Sequence, residues 1–108
     1  MAKQRALSMT GMAVLKAIAS GYKYGFDIMD VTGLPSGTVY PALSRLERDG
    51  LLKFSWEDPE IAHEEKRPPR KYYDVTKAGR GALDDSLARY RALQEIAPAE
   101  AGRTEAKS

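Results

Sequence analysis

The amino-acid sequence predicts a mainly α fold with a small β-hairpin, arranged as a winged helix-turn-helix followed by one C-terminal helix. Three short helical patterns come first, two segments with apolar residues at alternate positions follow, and one long helical pattern comes last. We therefore expect a winged domain over residues 1–76, a C-terminal helix over residues 77–97 and a disordered tail over residues 98–108.

The composition is that of one small domain. Of the 108 residues, 43% are hydrophobic, which is enough for a modest core. The net charge is only +2, so it favours neither nucleic acid nor a membrane as a partner. The absence of cysteine excludes disulfides and thiolate metal sites. The longest apolar stretch, residues 9–19, is shorter than the roughly 20 residues of a membrane helix, so we expect a cytoplasmic protein without a signal peptide or membrane segment.

The first two helices are predicted from their ends. The first is expected to begin at Ser8 or Thr10, whose side chains can cap a helix, and to end at Ser20. The second is expected to cover Tyr24 to Thr32, with a glycine after each helix to stop it.

The third helix is predicted to follow a three-residue turn at residues 33–35, with Ser36 as its N-cap and Gly50 after its end. Two helices joined by such a turn are typical of a helix-turn-helix. Four apolar residues spaced as on one helix face are expected to be buried: Val39, Ala42, Leu43 and Leu46.

Leu51–Trp56 and Arg70–Val75 are predicted to be two paired strands, joined by a loop over residues 57–69. Trp56 alternates with Leu52 and Phe54, and we expect it in the core of the hairpin; the alternative, for Trp56 as for Tyr90, is that it lines a ligand pocket. A fourth helix is predicted to begin after Thr76 and to end near Ile96.

The outer side of the third helix carries residues suited to DNA. It presents hydroxyl groups, one aromatic ring and two guanidinium groups that can meet phosphates or guanine edges, at Thr38, Tyr40, Pro41, Ser44, Arg45 and Arg48. Gly37 allows the backbone to approach a phosphate closely. Two other interpretations stay open: Tyr40 as a half-buried tyrosine packed on the hairpin, and the two arginines as part of a solvated face.

The segment before the second strand concentrates positive charge around two prolines. Its cations are Lys66, Arg67, Arg70 and Lys71, which favours contact with the DNA backbone. The alternative is an ordinary charged loop, neutralised by the acidic residues that precede it.

Three stretches together resemble the PadR-like family of bacterial transcriptional regulators. They are "YGFDIM" at residues 24–29, "GLPSGTVYPALSRLERDGLL" at residues 33–52 and "RPPRKYYDVTKAG" at residues 67–79. The resemblance implies a repressor-type protein that dimerises through its C-terminal helix and binds double-stranded DNA at a palindromic operator.

Carried over by position, the resemblance favours Ser36, Thr38, Tyr40 and residues 67–71 as facing DNA. Phe26 stands where the family often has tyrosine, so a phosphate contact from that hydroxyl is in doubt, and Lys23 and Tyr24 are the nearby substitutes.

The apolar stripe of the fourth helix is our expected homodimer contact, since so small a core would otherwise leave it exposed. It consists of Leu83, Leu87, Tyr90 and Leu93. The alternative is that this stripe packs on the first helix of the same chain. Relatives respond to small molecules, so an effector is possible here, but the sequence identifies none.

Two other classes of function compete with a DNA-binding regulator. An enzyme is disfavoured because the single histidine, His63, has no nucleophile or orienting partner at a recognisable spacing, and we expect no metal and no cofactor. A winged helix that binds protein would show larger apolar anchors on its third helix than this sequence does.

Overall fold

A computed structural model describes residues 6–99 of the chain. The predicted disordered tail lies outside the described residues from position 100 onward. The helices are α1 (Met9–Ala19), α2 (Gly25–Thr32), α3 (Ser36–Arg48), α4 (Pro59–Glu64) and α5 (Lys77–Gln94), and the strands are β1 (Leu52–Trp56) and β2 (Lys71–Val75). The predicted fold class is confirmed: a helical body carries a two-stranded antiparallel wing.

Helix α1 is the centre of the helical body. It packs against α2, α3, α5 and β2, because its Val14, Leu15 and Ile18 are all buried. Around them lie Ile28 of α2 and the predicted apolar face of α3, all four residues of which are buried. This burial fixes which side of α3 is left for solvent.

Helix α3 begins one residue differently from the prediction. Ser36 is its first residue, and Pro35 occupies the cap position with an extended backbone and no side-chain cap. The Pro35 carbonyl accepts from the N–H groups of Thr38 and Val39, both at 2.9 Å. Pro41 lies inside the helix and is exposed, so the hydrogen bond it omits is on the solvent side.

The wing pairs β1 with β2 so that Phe54 lies opposite Tyr73 and Trp56 opposite Lys71. The Tyr73 N–H also donates to the Lys23 carbonyl at 2.8 Å, which ties the wing to the segment between α1 and α2. The predicted loop between the strands was wrong in part, because it contains the short helix α4. Asp58 caps this helix by accepting from the Glu60 N–H at 2.9 Å.

Thr76 joins three elements through one hydroxyl. The predicted fourth helix, which begins after Thr76, is α5. The Thr76 Oγ1 caps it by accepting from the Gly79 N–H at 3.0 Å, and donates to the Gly50 carbonyl at 2.7 Å. The Thr76 N–H donates to the Leu51 carbonyl at 3.0 Å. The end of α3, the end of β2 and the start of α5 therefore meet at a single residue.

Candidate nucleic-acid interface

The outer face of α3 is open to solvent. Gly37, Pro41, Ser44 and Arg48 are all exposed, and their spacing of four, three and four residues places them along one line of the helix. Ser36 and Arg45 are exposed beside this line, while Thr38 is half-buried. The side opposite the buried apolar face thus presents small, hydroxyl-bearing and cationic groups together.

Tyr40 stands at the edge of this face with 49% of its surface exposed. Its ring and hydroxyl lie directly against Gly25, the first residue of α2, where an added Cβ would collide with the ring. This close approach to α2 orients Tyr40. Any side chain at position 25 would push the ring toward solvent.

The cations of the wing differ in how available they are. Lys66 is exposed. Arg67 is held by Glu57 and Glu65: its Nη1 donates to Glu57 Oε1 at 2.7 Å, and its Nε donates to Glu65 Oε1 at 3.0 Å. The hydrogen bonds from Arg67 lower the pKa of Glu57 to about 2. The structure therefore uses Arg67 to fix the wing, and for this residue it agrees with the alternative of a charged loop neutralised by the acidic residues that precede it.

Arg70 and Lys71 lie on aromatic rings. The Arg70 guanidinium is 4.2 Å from the centroid of the Tyr24 ring. The Lys71 ammonium is 4.0 Å from the Phe54 centroid and 3.6 Å from a carboxylate oxygen of Glu47 on α3. Both cations are half-buried, so their positions are defined while part of each remains accessible.

The residues expected to substitute for the missing tyrosine hydroxyl lie close to the wing. Lys23 forms an ion pair with Asp74 of β2, and the Tyr24 ring meets Tyr72 edge-on with centroids 5.7 Å apart. Burial raises the pKa of the Tyr24 hydroxyl, which keeps it protonated and able to donate.

An open cleft of about 470 Å³ lies between part of α3 and the wing. We call it the aromatic cleft, and it is bordered by the start of α2, by α3 and by the wing through Tyr24, Phe26, Tyr40, Ser44, Trp56 and Lys71. Arg70 and Tyr73 complete its wing side. Sequence reasoning assigned neither Phe26 nor Trp56 to a functional surface.

The prediction that Trp56 belongs to the hairpin core was wrong. Its side is the one predicted by strand alternation, but 62% of its surface is exposed, because the helical body ends before it. Leu52 at the other end of β1 is covered, whereas Phe54 and Trp56 extend progressively into solvent. Trp56 therefore forms a wall of the aromatic cleft.

Helix α5 divides into a packed half and a free half. Leu83 is only 2% exposed and belongs to the core of its own chain, which leaves it no surface for a second copy, so its predicted dimer contact is corrected. Leu87 is partly buried against the same core. Tyr90 is 40% exposed and Leu93 is 62% exposed, and neither belongs to the buried core cluster of the described residues.

The part of the chain that the structure describes, residues 6–99, shows no signs of a metal site or a membrane span. No group of three or more histidine, aspartate or glutamate side chains there could hold a metal ion. None of the helices in this range is both long and apolar enough to cross a membrane.

Comparison with known proteins agrees with this geometry. The sequence model of the "Transcriptional regulator PadR-like family" matches residues 9–85. The chain is similar to a solved PadR-like transcription factor from Bacteroides fragilis, with 29% identity, a TM-score of 0.68, and coverage of 81% of this chain and 84% of that chain.

Two other solved structures share the fold. A PadR family transcriptional regulator from Eggerthella lenta is 28% identical, with a TM-score of 0.66 and coverage of 79% of this chain and 74% of that chain. A PadR family transcription regulator from Clostridium difficile is 22% identical, with a TM-score of 0.72 and coverage of 82% and 93%. No curated protein matches the chain.

Proposed function

This chain belongs to the PadR-like family of transcriptional regulators and is therefore a DNA-binding regulator, and we propose that it acts as a homodimeric repressor that reads a palindromic operator with α3. The family's members are transcription regulators and not enzymes, which agrees with the sequence-based expectation.

The observation that carries the proposal is the outer face of α3. The aligned residues Gly37, Pro41, Ser44 and Arg48 leave no large apolar side chain along the centre of that face. A slim, polar helix face can enter the major groove, where hydroxyl and guanidinium groups discriminate base edges. Tyr40, oriented by Gly25, and Thr38 lie on either side of this line and are proposed to take part in reading the sequence.

The free half of α5 supports the dimer. Tyr90 and Leu93 expose apolar surface on the same helix whose first half is packed in the core. A second copy of α5 would cover this surface in a two-fold arrangement. Two α3 helices held in this way would read half-sites about 34 Å apart, which is one turn of DNA.

An effector would act on this dimer by shifting its population. A small molecule that binds better to a dimer with a different α3 spacing would lower the affinity for the operator.

The proposal is tested by selecting duplexes from a randomised library with the full chain, then measuring affinity by fluorescence anisotropy at two salt concentrations. We expect a two-fold symmetric sequence to be enriched and bound at least roughly a thousandfold more tightly than a scrambled duplex. Equal affinity for both duplexes would contradict a sequence-reading role. Binding of an asymmetric single half-site with unchanged affinity would contradict the dimer.

A further inference from the structure

The aromatic cleft lies between the two parts of the proposed DNA-binding surface. We propose that the aromatic cleft binds one strand of the DNA, an inference that rests on the proposed function. Phe26 and Trp56 pack on the sugars of that strand, and Arg70 and Lys71 contact the adjacent phosphates. This adds two aromatic contact residues that neither net charge nor the basic segment indicates.

The cleft is continuous with the outer face of α3. Ser44 belongs both to the exposed line of that helix and to the wall of the cleft, and Tyr40 lies one turn before it on the same wall. When α3 enters a major groove, the two strands that border the groove pass on either side of the helix, one of them on the side that carries the wing. The same strand is therefore brought to the cleft without any rearrangement of the fold.

Two aromatic side chains that line the cleft are largely exposed, which favours contact with a binding partner. Phe26 of α2 is 65% exposed and Trp56 of the wing is 62% exposed, and both line the cleft. Exposed apolar surface that lines a groove marks an interaction site. Deoxyribose presents apolar C–H groups that an aromatic ring can cover whatever the base.

The cations of the cleft complement a phosphodiester rather than a neutral partner. Stacking on Tyr24 occupies the flat side of the Arg70 guanidinium, and no carboxylate of residues 6–99 forms a salt bridge with it, so its edge donors can meet a phosphate. The Lys71 ammonium is only loosely paired with Glu47 at 3.6 Å. A phosphate can replace that carboxylate as the partner of Lys71.

Trp56 is the only tryptophan of the chain, so it reports on the cleft directly. The enriched duplex, carrying a visible fluorophore, is titrated into the full chain while anisotropy and tryptophan emission are recorded in the same samples. We expect the emission to change and acrylamide quenching to fall at the concentration where anisotropy saturates. Saturating anisotropy with unchanged emission and quenching would overturn the cleft proposal and leave the proposed function intact.

Variants separate sugar packing from phosphate contact. Phe26→Ala and Trp56→Ala should each weaken specific binding by up to about tenfold, because apolar surface of the ring no longer leaves water on binding, with the salt dependence unchanged. Lys71→Gln should lower the slope of log K against log salt by about one. Glu47→Gln should tighten binding, because it removes a carboxylate that competes for Lys71.

The control is Ile61→Ala, since Ile61 is an exposed apolar residue of α4 outside the cleft and its loss should leave affinity unchanged. Thermal melting identifies any variant that fails to fold, and Phe26 is exposed enough that its variant keeps the test decisive. Wild-type affinity for both aromatic variants would overturn the proposal. So would a tryptophan signal that responds to small aromatic compounds but not to DNA.

Discussion

Arg67 and Glu57 form a bidentate ion pair where the wing meets α4. Arg67 Nη1 donates to Glu57 Oε1 at 2.7 Å and Nη2 donates to Oε2 at 2.8 Å. The Arg70 N–H also donates to Glu57 Oε1, at 3.1 Å. Because Glu57 directly follows β1 and Arg67 follows α4, the pair fixes the intervening segment to the end of the hairpin.

This ion pair gives the wing a defined response to acid. The folded-state pKa of Glu57, about 2, lies below its ordinary value of 4.5, so its contribution to stability is present above about pH 4.5 and is lost as the pH falls toward 2. Glu57→Gln should lower the melting temperature at pH 7, and the difference from wild type should shrink between pH 4.5 and 2. Thermal melts across this range measure it, with Glu60→Gln as the exposed control. A difference that does not change with pH would contradict the assignment.

The same pair predicts that arginines contribute unequally to DNA affinity. Arg48 is exposed on the outer face of α3, whereas Arg67 is already neutralised by Glu57 and Glu65. Arg48→Gln should lower the slope of log K against log salt by about one, and Arg67→Gln should lower it by much less. Anisotropy titrations at four or more salt concentrations give both slopes. Equal reductions would show that Arg67 leaves Glu57 to meet a phosphate.

Two glycines of α5 should respond oppositely to the same substitution. A Cβ at Gly79 would collide with the backbone carbonyl of Leu51, whereas a Cβ at Gly81 would meet open space. Gly79→Ala should lower the free energy of unfolding by about 1–3 kcal/mol, because backbone cannot move aside easily. Gly81→Ala should raise it by up to about 1 kcal/mol through helix propensity. Urea unfolding of both variants tests the pair, and two effects of the same sign would contradict it.

The two halves of α5 should separate stability from association. Leu83→Ala should lower the free energy of unfolding by about 2–5 kcal/mol, because it opens a cavity in the core. Leu93→Glu should instead shift the chain from dimer to monomer. Sedimentation velocity over a range of concentrations measures association, with Ile61→Glu as a control for charge on an exposed apolar residue. A Leu93→Glu variant that remains dimeric would place the dimer contact elsewhere.

The buried face of α3 could be predicted from sequence because its apolar residues repeat with the period of the helix. Val39 and Leu46 lie on the predicted side for that reason alone. The start of the same helix was misplaced by one residue, because Ser36 is a favoured cap residue, whereas Pro35 takes the cap position with an extended backbone and a carbonyl that accepts the first hydrogen bonds of the helix.

Helix α4 was missed although its start was encoded. Asp58 followed by Pro59 is a cap residue followed by a favoured first helical residue, but the density of charge around them indicated a loop. Neutralisation of the basic segment by preceding acidic residues was kept open as an alternative, but the choice of Glu57 as the partner of Arg67 could not be predicted, because α4 brings the two together. The exposure of Trp56 could not be predicted because it depends on how far the wing extends beyond the helical body.

The hydrogen bonds of Thr76 fix the orientation of α5 relative to α3. The Thr76 hydroxyl joins the start of α5 to the turn that ends α3. The direction in which Tyr90 and Leu93 point is therefore fixed relative to the outer face of α3. Each residue inserted into α5 beyond the packed half would turn those side chains by about 100° around the helix axis. Insertions of one, two, three or four residues would therefore set different angles between the α3 helices of the proposed dimer. The spacing of the operator half-sites that fits the protein would then depend on the length of α5.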